Sequence, residues 1–102
     1  MKPTTDVFCA KTEFLLENDL AGAFYDLHPM AKGHLLVIPK SHYPTFFDTP
    51  VGVQRAMIDL LNEAKRYLDQ QFQPRGYQIF SHVGPAAGQT ILHAHLHLVP
   101  VY

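Results

Sequence analysis

The sequence predicts an α+β domain: an antiparallel sheet of about five strands with one long helix packed on it. Three observations carry this. Five short apolar runs are separated by turn-forming residues. A single stretch repeats apolar residues at spacings of three and four. The last run alternates with a period of two, the repeat of a half-buried strand.

Glu13-Phe14-Leu15-Leu16 and Leu20-Ala21-Gly22-Ala23-Phe24-Tyr25 read as two strands joined by the turn-rich Glu17-Asn18-Asp19. Asp26 to Gly33 is a loop, punctuated by Pro29 and Gly33. His34-Leu35-Leu36-Val37-Ile38-Pro39 is the most β-prone run, ended by its proline. Thr49-Pro50 reads as a helix start, with Thr49 as N-cap and proline in the first turn. Val53, Met57, Leu60, Leu61, Ala64 and Leu68 then form one apolar face, and Pro74 and Gly76 close the element. Tyr77 to Val83 is the fourth strand and His93 to Leu98 the fifth.

The 102 residues make one domain, residues 1–102, with 47% hydrophobic and 17% charged side chains, as in an ordinary soluble globule. A net charge of −1 offers no footprint for nucleic acid. No run has the apolar length of a membrane span, and Met1-Lys2-Pro3-Thr4-Thr5-Asp6 does not read as a signal peptide. The single Cys9 excludes an internal disulfide and suits a reducing compartment, so the expected location is the cytoplasm.

Chemistry concentrates at the end. Three of the seven histidines are His93, His95 and His97, alternating with Ala94, Leu96 and Leu98. In an extended strand all three imidazoles would face one side, roughly 6.5–7 Å apart, with Ala94, Leu96 and Leu98 anchoring the other side. Such a row reads either as metal ligands or as a catalytic row, one ring attacking phosphorus while its neighbours hold an anion. The preceding Gly84-Pro85-Ala86-Ala87-Gly88-Gln89-Thr90 favours the second: it offers backbone N–H groups and neutral donors, and no Asp or Glu occurs from Gln70 to Tyr102. A bound phosphate suits that loop better than a metal does.

The loop together with His93-Ala94-His95-Leu96-His97-Leu98-Val99 closely resembles the signature of the histidine triad (HIT) family, His-φ-His-φ-His-φ-φ with φ apolar. The likeness extends from about Asp6 to Pro100, through the Pro29, Gly33-His34 and Pro39-Lys40-Ser41-His42 block. It implies a HIT-like fold and a homodimer. It also implies a nucleotide hydrolase or transferase acting at the α-phosphorus of nucleoside phosphoramidates, dinucleoside polyphosphates or related adenylates. Nucleotide is then the partner, and no cofactor is required. His95 would be the nucleophile that forms a nucleotidyl-histidine. His97 with Gly88, Gln89 and Thr90 would hold the phosphoryl oxygens, and His93 would position the strand or ligate metal. Asp26 would accept from the ribose hydroxyls.

Family members also bear on a structural zinc, whose ligands would by position be Asp6, Cys9, His42 and His93; here a carboxylate replaces one thiolate, which zinc binds less selectively. Two further departures stand out. His82 occupies the place of an amide-bearing Asn in His82-Val83-Gly84, where it would contact phosphate or sugar, and Val101 follows Pro100 where many members have arginine. These departures motivate an alternative, a nucleotide-binding regulatory protein with little turnover. A metal-binding module built on the triad is the more distant rival. His34 reads as a buried, hydrogen-bonded ring beside the triad, and His28 as a surface residue.

Overall fold

Asn18 makes the first hairpin. Its N–H donates to Ala21 O at 3.0 Å, and its Oδ1 accepts from the N–H groups of Leu20 and Ala21 at 3.1 and 2.8 Å. This Asx arrangement turns the chain between β1 (Leu16–Glu17) and β2 (Ala21–Tyr25). The computed structural model describes residue 8 and residues 11–102. Asp6 and Cys9, two of the four residues named for zinc, therefore lie outside the described residues.

β2 pairs with β3 (Leu35–Pro39), β3 with β5 (Leu96–Val101), and β5 with β4 (Gly76–Phe80), every pairing antiparallel. The sheet has the five strands that the apolar runs predict, in the order β1-β2-β3-β5-β4. The helix α1 spans Val51–Phe72. Met57, Leu60, Leu61, Ala64 and Leu68 bury against Ala21, Ala23, Leu35, Val37, Leu96 and Leu98, with Val53 half-buried at the margin. That is the apolar face read from the three-and-four spacing. Among the described residues no helix is long and apolar enough to cross a membrane.

Three boundaries differ from the sequence reading. Thr49 does not cap α1: Pro50 is the N-cap, and the Thr49 hydroxyl instead donates to Phe46 O at 2.5 Å. A 3₁₀ turn over Phe46–Asp48 takes up this segment. Its Thr45 N–H and hydroxyl both reach Asp48 Oδ2, at 3.0 and 2.7 Å. β1 covers Leu16–Glu17 and not Glu13–Leu16, whereas α1 closes before Pro74 as expected, on Gln73 in the left-handed region (φ 48°) with its N–H on Asp69 O.

The third difference matters most for function. β5 begins at Leu96, so of the triad only His97 lies in a strand. Ahead of it Ala94 N–H donates to Tyr43 O at 2.6 Å, and the Ser81 hydroxyl donates to His95 O at 2.7 Å. These bonds pull residues 93–95 out of the sheet ladder. β4, deprived of a partner beyond the Phe80–His97 pair, ends at Phe80 rather than Val83.

Candidate functional site

The face of the sheet opposite α1 carries a smaller apolar cluster of Phe8, Phe24, Leu36 and Ile38, flanked by Phe14 and Ile91. Beside it opens a cavity of about 560 Å³. His95 and His97 line it with Asp26, His82, Gly88 and Thr90, and Phe8, Phe24 and Ile91 supply an apolar wall. A largely apolar cleft with a few convergent polar groups is the usual form of a small-molecule site.

Register places His97 between Leu36 of β3 and Phe80 of β4. The Phe80 ring stacks on it at 4.4 Å and 14°, so the imidazole plane is set by packing. His95 follows at 5.1 Å from His97, ring centre to ring centre, closer than the even ladder of an extended strand. His93 is fully buried. It is absent from the cavity lining, and its Nε2 lies 2.8 Å from Pro39 O.

Hydrogen bonds fix the proton on each ring. A carbonyl can only accept, so His95 Nδ1, 2.7 Å from His93 O, is the N–H and donates. In neutral His95 the lone pair is therefore on Nε2. The Met30 N–H donates to His34 Nδ1 at 3.0 Å, which puts the His34 proton on Nε2. From there it donates to His97 Nδ1 at 2.9 Å. His97 in turn must carry its proton on Nε2. Among the described residues no buried side-chain polar atom lacks a partner. The Nε2 atoms of His95 and His97 make no hydrogen bond within the described chain, and hence open to the cavity. One offers a lone pair, the other a donor.

Burial lowers the pKa of all three rings. In His95 desolvation leads, opposed by the bond to His93 O. In His34 desolvation leads and the Asp26 carboxylate opposes it. His97 falls furthest, to about 4, through desolvation and then the neighbouring His95 and His34. Near pH 7 these imidazoles are neutral, as the assigned tautomers require.

Asp26 ends β2 at the cavity rim. Its Oδ1 accepts from His28 N–H at 2.9 Å, and its Oδ2 lies 3.5 Å from His34 Nε2 and 4.0 Å from His97 Nδ1. These three atoms also form a cluster with the reach of a cation site. A cation would need the lone pair of His34 Nε2, which the Met30 N–H forces to hold a proton. The arrangement suits a hydrogen-bond relay and not a metal.

The loop is shaped by Gly84 (φ 89°) and Gly88 (φ 96°), in a region that side chains strain to enter. A Cβ on Gly88 would also come within 3.5 Å of the His82 ring. Gln89, expected at the phosphate, is 5% exposed and turned inward. Its Oε1 accepts from Gly84 N–H at 2.8 Å, and its Nε2 donates to Pro44 O and Ile91 O at 2.6 and 2.9 Å. Its carboxamide thus braces the loop, while Gly88 and Thr90 face the cavity. His82 also lines the cavity, 5.8 Å from His97. His28 is exposed, as expected, but stands at the rim.

Of the residues named for zinc, His42 and His93 meet edge to face at 5.4 Å. His93 Nε2–H donates to Pro39 O, the backbone anchoring that metal-bound histidines commonly show.

Sequence reasoning underrated His34, whose ring is buried as expected but bonded to the triad itself. It also passed over Phe8, Lys11 and Ile91 as cavity walls. The available signal for His34 was its place directly before β3, the strand that must neighbour a central histidine strand.

Comparison with known proteins agrees with this geometry. The HIT domain model matches residues 8–102. A 16.1 kDa HIT-like protein of Mycoplasma pneumoniae is 41% identical over 86 residues, 84% of this chain and 60% of that protein. Adenylylsulfatase HINT3 of Arabidopsis thaliana is 35% identical over 86 residues, again 84% of this chain but 44% of the relative. The chain thus spans about half to three-fifths of the length of these two relatives. A crystal structure of a HIT family protein from Bacillus anthracis superposes with a TM-score of 0.90 at 29% identity, covering 99% of this chain and 76% of that one. The chain belongs to the HIT family.

Proposed function

We propose that this chain hydrolyses or transfers nucleotides at the α-phosphorus, with His95 as nucleophile. The carrying observation is the His95 tautomer: Nδ1–H is committed to His93 O at 2.7 Å, which leaves a lone pair on Nε2 at the cavity. The attack forms a P–N bond as the bond to the leaving group breaks, and that group departs with a proton drawn from solvent. Water then attacks phosphorus, the P–N bond breaks, and a nucleoside monophosphate is released with His95 neutral again. His97 Nε2–H and the Gly88–Thr90 segment, which line the cavity at Gly88, Thr90 and His97, would donate to the phosphoryl oxygens, so stabilisation would come from preset neutral donors. Asp26 would accept from sugar hydroxyls and His82 would donate to the phosphate or sugar. Phosphoramidates, dinucleoside polyphosphates and adenylates all present the required centre.

The protein is proposed to act as a cytoplasmic homodimer, and His42 and His93 to hold a structural zinc together with Asp6 and Cys9. No step of the reaction runs through that metal. The test of the function is His95→Asn, which retains the Nδ1 donor position but lacks the nucleophile. Hydrolysis of adenosine 5′-phosphoramidate should fall by about three orders of magnitude or more. Undiminished turnover ends the assignment. Wild-type binding of a monophosphate with no turnover of any of the three substrate classes replaces it with a nucleotide-binding regulatory role.

A further inference from the structure

We propose that Lys11 selects the nucleobase, favouring purines with a 6-oxo group over adenine; this rests on the nucleotide reading above. The cavity has a chemical direction. From His97 the contacts run to His95 at 5.1 Å, then to Phe8 at 5.2 Å, then to Phe24 at 5.5 Å. The Lys11 ammonium follows, 4.5 Å from the Phe24 ring centre. One end is histidine and the other is aromatic. A nucleotide with phosphorus at His95 places its base on the Phe8, Phe24 and Ile91 wall, the surface suited to a planar apolar ring.

The Lys11 backbone is tied to that wall. Its N–H donates to Phe8 O at 3.1 Å, so its stem leaves the turn that presents the Phe8 ring. Among the described residues lining the cavity it is the one lysine or arginine, and Asp26 the one carboxylate. Lys11 makes no ion pair with the described residues, so no described carboxylate competes for its donors. An ammonium has three donors and no acceptor. Guanine and hypoxanthine present two adjacent acceptors, O6 and N7, on one edge. Adenine puts an amino donor beside N7, which turns its own hydrogens toward the ammonium. The cavity thus reads sugar with a carboxylate and base with a cation.

Titration calorimetry with GMP, IMP and AMP tests this on the whole chain and on Lys11→Met, which keeps the apolar stem. The wild type should bind GMP and IMP about tenfold more tightly than AMP, and Lys11→Met should bring the three affinities together. Equal affinities in the wild type, or a preference that survives in Lys11→Met, overturns the role of Lys11 alone. Tight GMP with IMP as weak as AMP overturns it as well, since the 2-amino group would then be what is read. No binding by any of the three defeats the nucleotide reading, and this inference with it.

Discussion

His34→Leu isolates what the buried relay contributes. The leucine fills the volume of a side chain that is 1% exposed but donates nothing. His97 Nδ1 then loses the 2.9 Å bond that fixes its tautomer, and the Met30 N–H loses its 3.0 Å acceptor. An unpaired group in a half-buried site costs about 1–3 kcal/mol. Where that loss falls on the donor facing the transferring phosphoryl group, kcat/KM drops by about 5- to 150-fold. Steady-state hydrolysis of adenosine 5′-phosphoramidate by folded, circular-dichroism-checked protein measures it. A second readout separates positioning from mere packing. The presence of His34 lowers the His97 pKa, so its removal should move the His97 titration profile, followed by NMR, upward. His34→Gln, which retains a donor, should recover part of the rate. A folded His34→Leu with wild-type kcat and an unmoved profile would refute the relay.

Acid should weaken the fold through the same rings. His97 titrates at about 4 when folded and near 6.5 when unfolded, so between those values the unfolded chain binds more protons. The contribution is complete above about pH 6.5 and is lost as pH falls to about 4, some 3 kcal/mol in all. The difference in urea stability between wild type and His97→Asn should shift across that window, and parallel curves would contradict it. Gln89→Leu should destabilise by about 2–4 kcal/mol, because Gly84 N–H, Pro44 O and Ile91 O all lose a partner. If thermal unfolding leaves Gln89→Leu as stable as wild type, the carboxamide does not brace the loop.

The fold was readable because its signals were local. Alternation, the three-and-four spacing of α1 and the Asn18 turn each declare themselves within a few residues, and the structure follows them. Boundaries were less readable where distant residues decide them. Tyr43 O and Ser81 draw residues 93–95 away from the ladder, and no period-two pattern reports a bond to a residue fifty positions earlier. The same limit hid the tasks of two side chains. Gln89 looks like a phosphate donor in sequence, yet Pro44 O turns it inward. His34 looks like a core histidine, yet its Nε2 sets the triad's last ring. The triad was conspicuous from composition alone, whereas the proton on each ring needed its neighbours.

The covalent state of His95 tests nucleophilic catalysis most directly. Wild-type protein mixed with adenosine 5′-phosphoramidate, quenched under alkaline conditions that spare a P–N bond, and digested for mass spectrometry should carry one adenylyl group, on the His95 peptide. His95→Asn should carry none. An adduct on another residue, or hydrolysis by an enzyme that never acquires one, would contradict a nucleophilic His95.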